Sequence, residues 1–197
     1  DFISVNNITE NSSLQLPRRL IFIKTKLIEK ELKQNLSLKR ISVNRQIFPF
    51  GLNIKIQTRK PVALANSEVN GIKVEGFVDK DGVFINKKYL PETENLIFPV
   101  KITGWDKDYK KLISLIIKKY EDNDDLEVIK ISSEGFITLE ENFLQKIYLG
   151  SQIQEIEEKL NLIFDIKEQI KKQKFRKKIK SLDLTDPTNP RVKVFIP

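Results

Sequence analysis

The sequence predicts an α+β chain. A small helix-on-sheet unit, residues 1–60, precedes a larger mixed, mainly antiparallel sheet unit with two long helices, residues 61–197. Three observations carry this reading. Period-two alternation of apolar and polar residues runs from Arg40 to Gln57 and recurs after Pro61, as in strands with one buried face. Two longer stretches, Asp106–Tyr120 and Gln152–Gln173, space their apolar residues by three, four or seven, as amphipathic helices do. The charge divides at the same place: residues 1–60 hold 12 Lys and Arg against 4 Asp and Glu, the whole of the net +8.

In chain order, Asp1 to Leu16 is polar and rich in Asn and Ser, and predicts a short helix and loop carried by Ile3, Val5 and Ile8. Thr25–Asn35 predicts a helix with Thr25 as its cap, Ile28 and Leu32 on one face and Asn35 as its stop. Ile41 and Val43 then alternate with Arg40, Ser42 and Asn44, and Leu52, Ile54 and Ile56 alternate with Asn53, Lys55 and Gln57. Between them, Pro49 cannot donate to a ladder and Gly51 tolerates positive φ, so the two segments predict an antiparallel hairpin. Pro61 stops the second strand or moves it to an edge.

Beyond Pro61, strands are expected at Val62–Ala65, Gly71–Asp79, Val83–Asn86 and Pro99–Ile102, with Asp79-Lys80-Asp81-Gly82 as a tight turn. The helix at Asp106–Tyr120 aligns Tyr109, Leu112, Ile113, Ile116, Ile117 and Tyr120, and the acidic loop Glu121–Asp125 ends it. Leu126–Ile131, Gly135–Leu139 and Phe143–Leu149 read as a strand meander. Gly150-Ser151 breaks to the second long helix, with Ile153, Ile156, Leu160, Ile163 and Ile170 on its stripe. Lys171–Lys180 is the most basic run, and at a helix C-terminus its cations oppose the dipole favourably. The chain closes with Lys180–Thr185, a turn over Asp186–Pro190 and a strand Arg191–Ile196. Val192, Val194 and Ile196 take one face of that strand, and Arg191, Lys193 and Phe195 the other. A terminal strand commonly lies at a sheet edge, where another chain can add a strand.

Composition narrows the function classes. The chain has no Cys and no His, which removes disulfides, thiol chemistry and the commonest general base and metal ligand. No Gly-rich phosphate loop, G-x-S-x-G elbow or complete S-x-x-K set occurs. The expectation is therefore no catalytic site, no metal and no cofactor. A basic unit suits nucleic acid, anionic lipid or an acidic protein. The basic run contains one aromatic residue, Phe175, and no RNP, KH or helix-turn-helix pattern accompanies it, so nucleic acid is not expected as a partner. No apolar run approaches the ~20 residues that span a bilayer.

Arg45, Pro49, Leu52, Ile54 and Ile56, then Arg59-Lys60-Pro61-Val62-Ala63, then Val78-Asp79-Lys80-Asp81-Gly82-Val83-Phe84 resemble the FtsQ/DivIB family of bacterial cell-division proteins. In that family a POTRA domain ends in an R-x-x-P and R-x-P-V-A hairpin, and a V-D-x-x-G-x-x-F hairpin opens the next domain. Thr58 stands where the family has glutamate. The resemblance continues through Leu90-Pro91, Gly104, Tyr148-Leu149-Gly150, Lys159-Leu160 and Leu182-Asp183-Leu184. It implies a POTRA domain over 1–60, with its customary first strand missing or displaced, and an FtsQ-type β domain over 61–197. It implies a non-enzymatic divisome scaffold on the extracytoplasmic side of the bacterial plasma membrane, with a cytoplasmic tail and single membrane helix upstream of Asp1. The partners it implies are FtsB/FtsL-type proteins, added as a strand at Arg191, Val192, Lys193, Val194 and Phe195, and further the FtsW/FtsI-type synthase complex. The basic first domain would face the anionic membrane surface. Two other readings are a POTRA-containing protein of a translocation machine and a charge-driven nucleic-acid-binding module.

Overall fold

The alternating segments become two separate sheets in the computed structural model, which describes residues 5–14, 19–69, 71–89, 98–172 and 178–195. The first unit holds α1 (Val5–Glu10), α2 (Thr25–Asn35), β1 (Arg40–Gln46) and β2 (Gly51–Gln57). Strands β1 and β2 pair antiparallel, with Ile41 opposite Ile56, Val43 opposite Ile54 and Arg45 opposite Leu52. The apolar face so formed packs with Ile28 and Leu32 of α2 and with Ile23, Leu36 and Leu38 in a small core. The outward Val43 amide donates to Glu29 Oε1 of α2 at 2.8 Å, which stitches helix to sheet. That bond, and then Lys26, hold the Glu29 carboxyl below its ordinary value. Among the described residues this sheet has two strands.

Helix α2 covers the expected residues, but Thr25 is its first helical residue and not its cap. Lys24 occupies that position without a side-chain hydrogen bond. The Lys24 carbonyl already accepts from the amides of Leu27 and Ile28, so the ladder starts one residue earlier than the cap chemistry suggested.

The second unit carries β3 (Pro61–Val69), β4 (Ile72–Asp79), β5 (Phe84–Asn86), β6 (Val100–Trp105), α3 (Lys110–Lys119), β7 (Leu126–Ile131), β8 (Ile137–Glu141), β9 (Gln145–Gly150), α4 (Ile156–Lys172), β10 (Ile179–Asp183) and β11 (Arg191–Val194). Its nine strands run in the order β11-β10-β9-β8-β7-β6-β3-β4-β5. Three neighbouring pairs, β3 with β6, β6 with β7 and β9 with β10, are parallel. The last two are joined through α3 and α4, because parallel neighbours need a long crossover. Pro61 opens β3 beside a bulge, where its missing N–H is tolerated. Both long helices begin with a 3-10 turn, Lys107–Tyr109 and Ile153–Glu155, so the α-helical parts start later than expected.

One sheet face packs against α3 and α4 in a core that includes Ile102, Ile113, Ile116, Ile129, Ile147, Leu160 and Ile163. The other face is wet, and Glu140 pairs there with Lys130 at 2.7 Å and Lys146 at 3.8 Å. No described helix is long and apolar enough to cross a membrane. Ile3, Leu90, Pro91, Gln173, Phe175 and Ile196, which the sequence reading used, lie outside the described residues.

Candidate partner-binding edge

The stripe that buries α4 contains two lysines, and one of them builds the approach to the last strand. Lys159 is 0% exposed; its ammonium donates to Leu149 O at 3.0 Å and Thr185 O at 3.2 Å and pairs with Glu155 at 3.1 Å. A buried cation needs such partners to offset lost hydration. Lys159 thereby ties the ends of β9 and β10 to the helix. Lys167 is buried likewise, paired with Glu141 at 2.6 Å and Asp125 at 3.1 Å. Tyr120 donates its hydroxyl to the same Glu141 carboxylate at 2.9 Å, and burial, with that charge beside it, pushes the phenol far above its ordinary value.

From Lys159 the chain turns twice. Asp183 accepts from the Thr185 hydroxyl at 2.7 Å and the Thr185 amide at 3.1 Å. Asp186 repeats the motif with Thr188 at 2.7 and 3.0 Å. These bonds hold both carboxyls below their ordinary values, as expected where hydrogen bonds favour the ionised form. The turn then delivers β11 antiparallel to β10, with Arg191 opposite Asp183, Val192 opposite Leu182 and Lys193 opposite Ser181.

Among the described residues, strand β11 is the terminal strand of the nine-stranded sheet. Phe195 donates its amide to Lys178 O at 3.0 Å. Since successive residues of a strand point their backbone groups to opposite sides, Arg191, Lys193 and Phe195 face β10. Val192 and Val194 therefore turn their N–H and C=O groups toward the open edge. Of the five residues expected at this site, Arg191, Val192 and Lys193 are exposed, Val194 is half-buried, and Phe195 is 51% exposed with Lys180 Nζ 6.0 Å from its ring centroid. The structure thus brings all five onto one edge, with cations and an aromatic ring around outward-facing backbone groups. Such an edge can pair with an extended acidic segment.

A second constellation lies at the junction of the two units, where Arg59 meets the turn expected at Asp79–Gly82. Arg59 donates from Nε to Ser37 O at 3.0 Å, and its Nη1 pairs with Asp79 at 2.6 Å and Asp81 at 3.5 Å. Asp79, 3% exposed, also accepts the amides of Asp81 and Val83 at 3.0 and 2.9 Å. The turn is further pinned by Trp105, donating to Gly82 O at 3.0 Å, and by Ser114, donating to Lys80 O at 2.8 Å. Gly82 has φ +74°, and a Cβ there would strike Lys110 O. One arginine thus clasps the loop after α2 to the β4–β5 turn. Lys159 was legible in principle, since it lies three residues after Ile156 and beside Leu160 on the apolar stripe.

No curated protein matches the chain. Residues 1–59 match the family model described as POTRA domain, FtsQ-type. That family comprises membrane-anchored, extracytoplasmic cell-division scaffolds, generally non-enzymatic, that interact with other division proteins. Helix α2 packed on the β1–β2 hairpin and closed by Arg59 falls within the matched segment, and residues 1–59 are accordingly assigned to the FtsQ/DivIB-like POTRA family.

Proposed function

We propose that the chain is the extracytoplasmic part of a divisome scaffold that binds FtsB/FtsL-type partners by strand addition at β11. In this reading it divides at residue 60 into a POTRA domain and a β domain and is held to the bacterial plasma membrane by a single helix upstream of Asp1. Through the partners bound at β11 it meets the FtsW/FtsI-type synthase complex. The observation that carries the reading is the position of β11: among the described residues it ends the sheet, and alternation from the Phe195–Lys178 bond turns the backbone groups of Val192 and Val194 outward. Backbone pairing would give affinity, Phe195 a half-exposed anchor, and Arg191 with Lys193 a preference for acidic segments.

The test is binding to peptides from the membrane-proximal and C-terminal parts of FtsB/FtsL-type partners. Val192→Pro removes an N–H that faces the open edge and leaves the pairing with β10 intact. We expect it to weaken binding at least about tenfold, roughly 1.4 kcal/mol, without moving the melting temperature. Phe195→Ala and a chain ending at Pro190 should also lose affinity. Full binding by Val192→Pro would rule out strand addition at this edge.

A further inference from the structure

We propose that the tip of the β1–β2 hairpin, with the 3-10 turn beside it, inserts into an anionic phospholipid surface. The proposal rests on the membrane-side placement of the first domain in the reading above, but not on strand addition at β11. Ile47, Phe48 and Phe50 are 79%, 89% and 82% exposed, and Ile21 and Phe22 of the neighbouring turn 75% and 62%. Arg45 brings the two groups to one end of the unit, donating from Nε to Leu20 O at 3.0 Å and from Nη2 to Ile23 O at 2.7 Å.

The loop backbone is prepared to leave water. Pro49 has no N–H, and the Phe48 carbonyl already accepts from Gln46 Nε2 at 3.0 Å, which lowers the cost of desolvating the tip. The charge around it has one sign. Arg45 and Lys55 flank the tip in sequence and Arg19 and Lys24 flank the 3-10 turn, and no carboxylate occurs at residues 11–28 or 32–67. Glu29 and Glu31, on α2, are occupied by the amides of Val43 and Ser13. A protruding apolar loop flanked by cations needs no shaped pocket: a fluid bilayer admits the aromatic rings at headgroup depth while the cations meet its anionic charge.

The experiment floats the chain with vesicles containing phosphatidylglycerol and with vesicles of phosphatidylcholine alone. The variants are Phe48→Ala/Phe50→Ala, and Phe48→Trp read by bromine-labelled lipid. Trp105 is an internal control, since its indole is bonded at the β4–β5 turn, about 23 Å away along the hairpin. The expected result is salt-sensitive binding to the anionic vesicles, at least about tenfold weaker in the double variant, with quenching only in Phe48→Trp. Absence of vesicle binding, equal binding by the double variant, or an unquenched Phe48→Trp would each overturn the proposal. Loss of partner-peptide binding in the double variant, without vesicle binding, would make the tip a protein-docking surface instead. Peptide binding that is kept while vesicle binding is absent removes the lipid proposal and leaves the β11 reading standing. Loss of both in the unaltered chain removes the two together.

Discussion

At Arg59 one side chain reaches three separate segments, the Ser37 carbonyl and the carboxylates of Asp79 and Asp81. Its side chain is 14% exposed and that of Asp79 5%, so water screens the pair little. Arg59→Ala would leave a buried carboxylate without its cation, and the expected loss is about 3–5 kcal/mol in urea unfolding. Arg59→Lys should recover part of this, because an ammonium can meet Asp79 but cannot also span to Ser37. The sequence offered Arg59 and Asp79 as motif positions, and Asp79 as a turn former, which it is. It could not show that they meet, because their proximity depends on how β2 leads into β3 and on the closure of the β4–β5 turn. Lys167 was hidden for another reason: on a helix, a lysine is ordinarily read as solvent-facing, and only the packed sheet shows this one beneath it.

Among elements, the β10–β11 hairpin is the one whose integrity should follow pH. The Asp183 carboxyl lies below its ordinary 3.8, first because of the Thr185 hydroxyl and then its amide. A carboxyl depressed in the folded state contributes stability above its unfolded pKa, and loses it as pH falls through the folded value. Amide protection of β11 should therefore decline on acidification below the ordinary carboxylate range, and Asp183→Asn should flatten that decline while lowering protection at neutral pH. A profile identical in the variant would remove Asp183 as the cause. At this scale the sequence was most readable where contacts are local. Helix Thr25–Asn35 and strand Leu126–Ile131 follow from periodicity, and the hairpin around Pro49 from its alternating flanks, while Gly51 opens β2 without a positive φ. The parallel pairings of β3 with β6 and of β9 with β10 were not readable, since they join segments far apart in sequence, the first across β4 and β5 and the second across α4.

At the scale of the molecule, the described residues form two hydrophobic cores of unequal size. Among the described residues the first has seven buried apolar side chains and the second twenty-two. Residues 1–60, which supply the smaller core, also carry the entire net charge, and self-repulsion works against that unit at low salt. The first unit is therefore expected to unfold at lower urea than the second. Arg59→Ala should widen that gap into two resolved transitions by circular dichroism, and a single transition in the variant would show that other contacts couple the units. The charge divides and the pattern changes near Pro61, between the segments that supply the two cores. The exposed apolar tip at Phe48 was less visible, because an aromatic residue beside a turn proline reads equally well as packed.

The order of the sheet has a consequence for how the molecule can be used. Strand β11 stands at one end, and β4, whose turn receives Arg59, is seven strand spacings away. At about 4.8 Å per spacing that is about 34 Å, less what twist removes. The sheet is thus a ruler: a chain added at β11 is held a fixed distance from whatever engages the first unit. The two occupants need not compete, and changes at one should add to changes at the other without coupling.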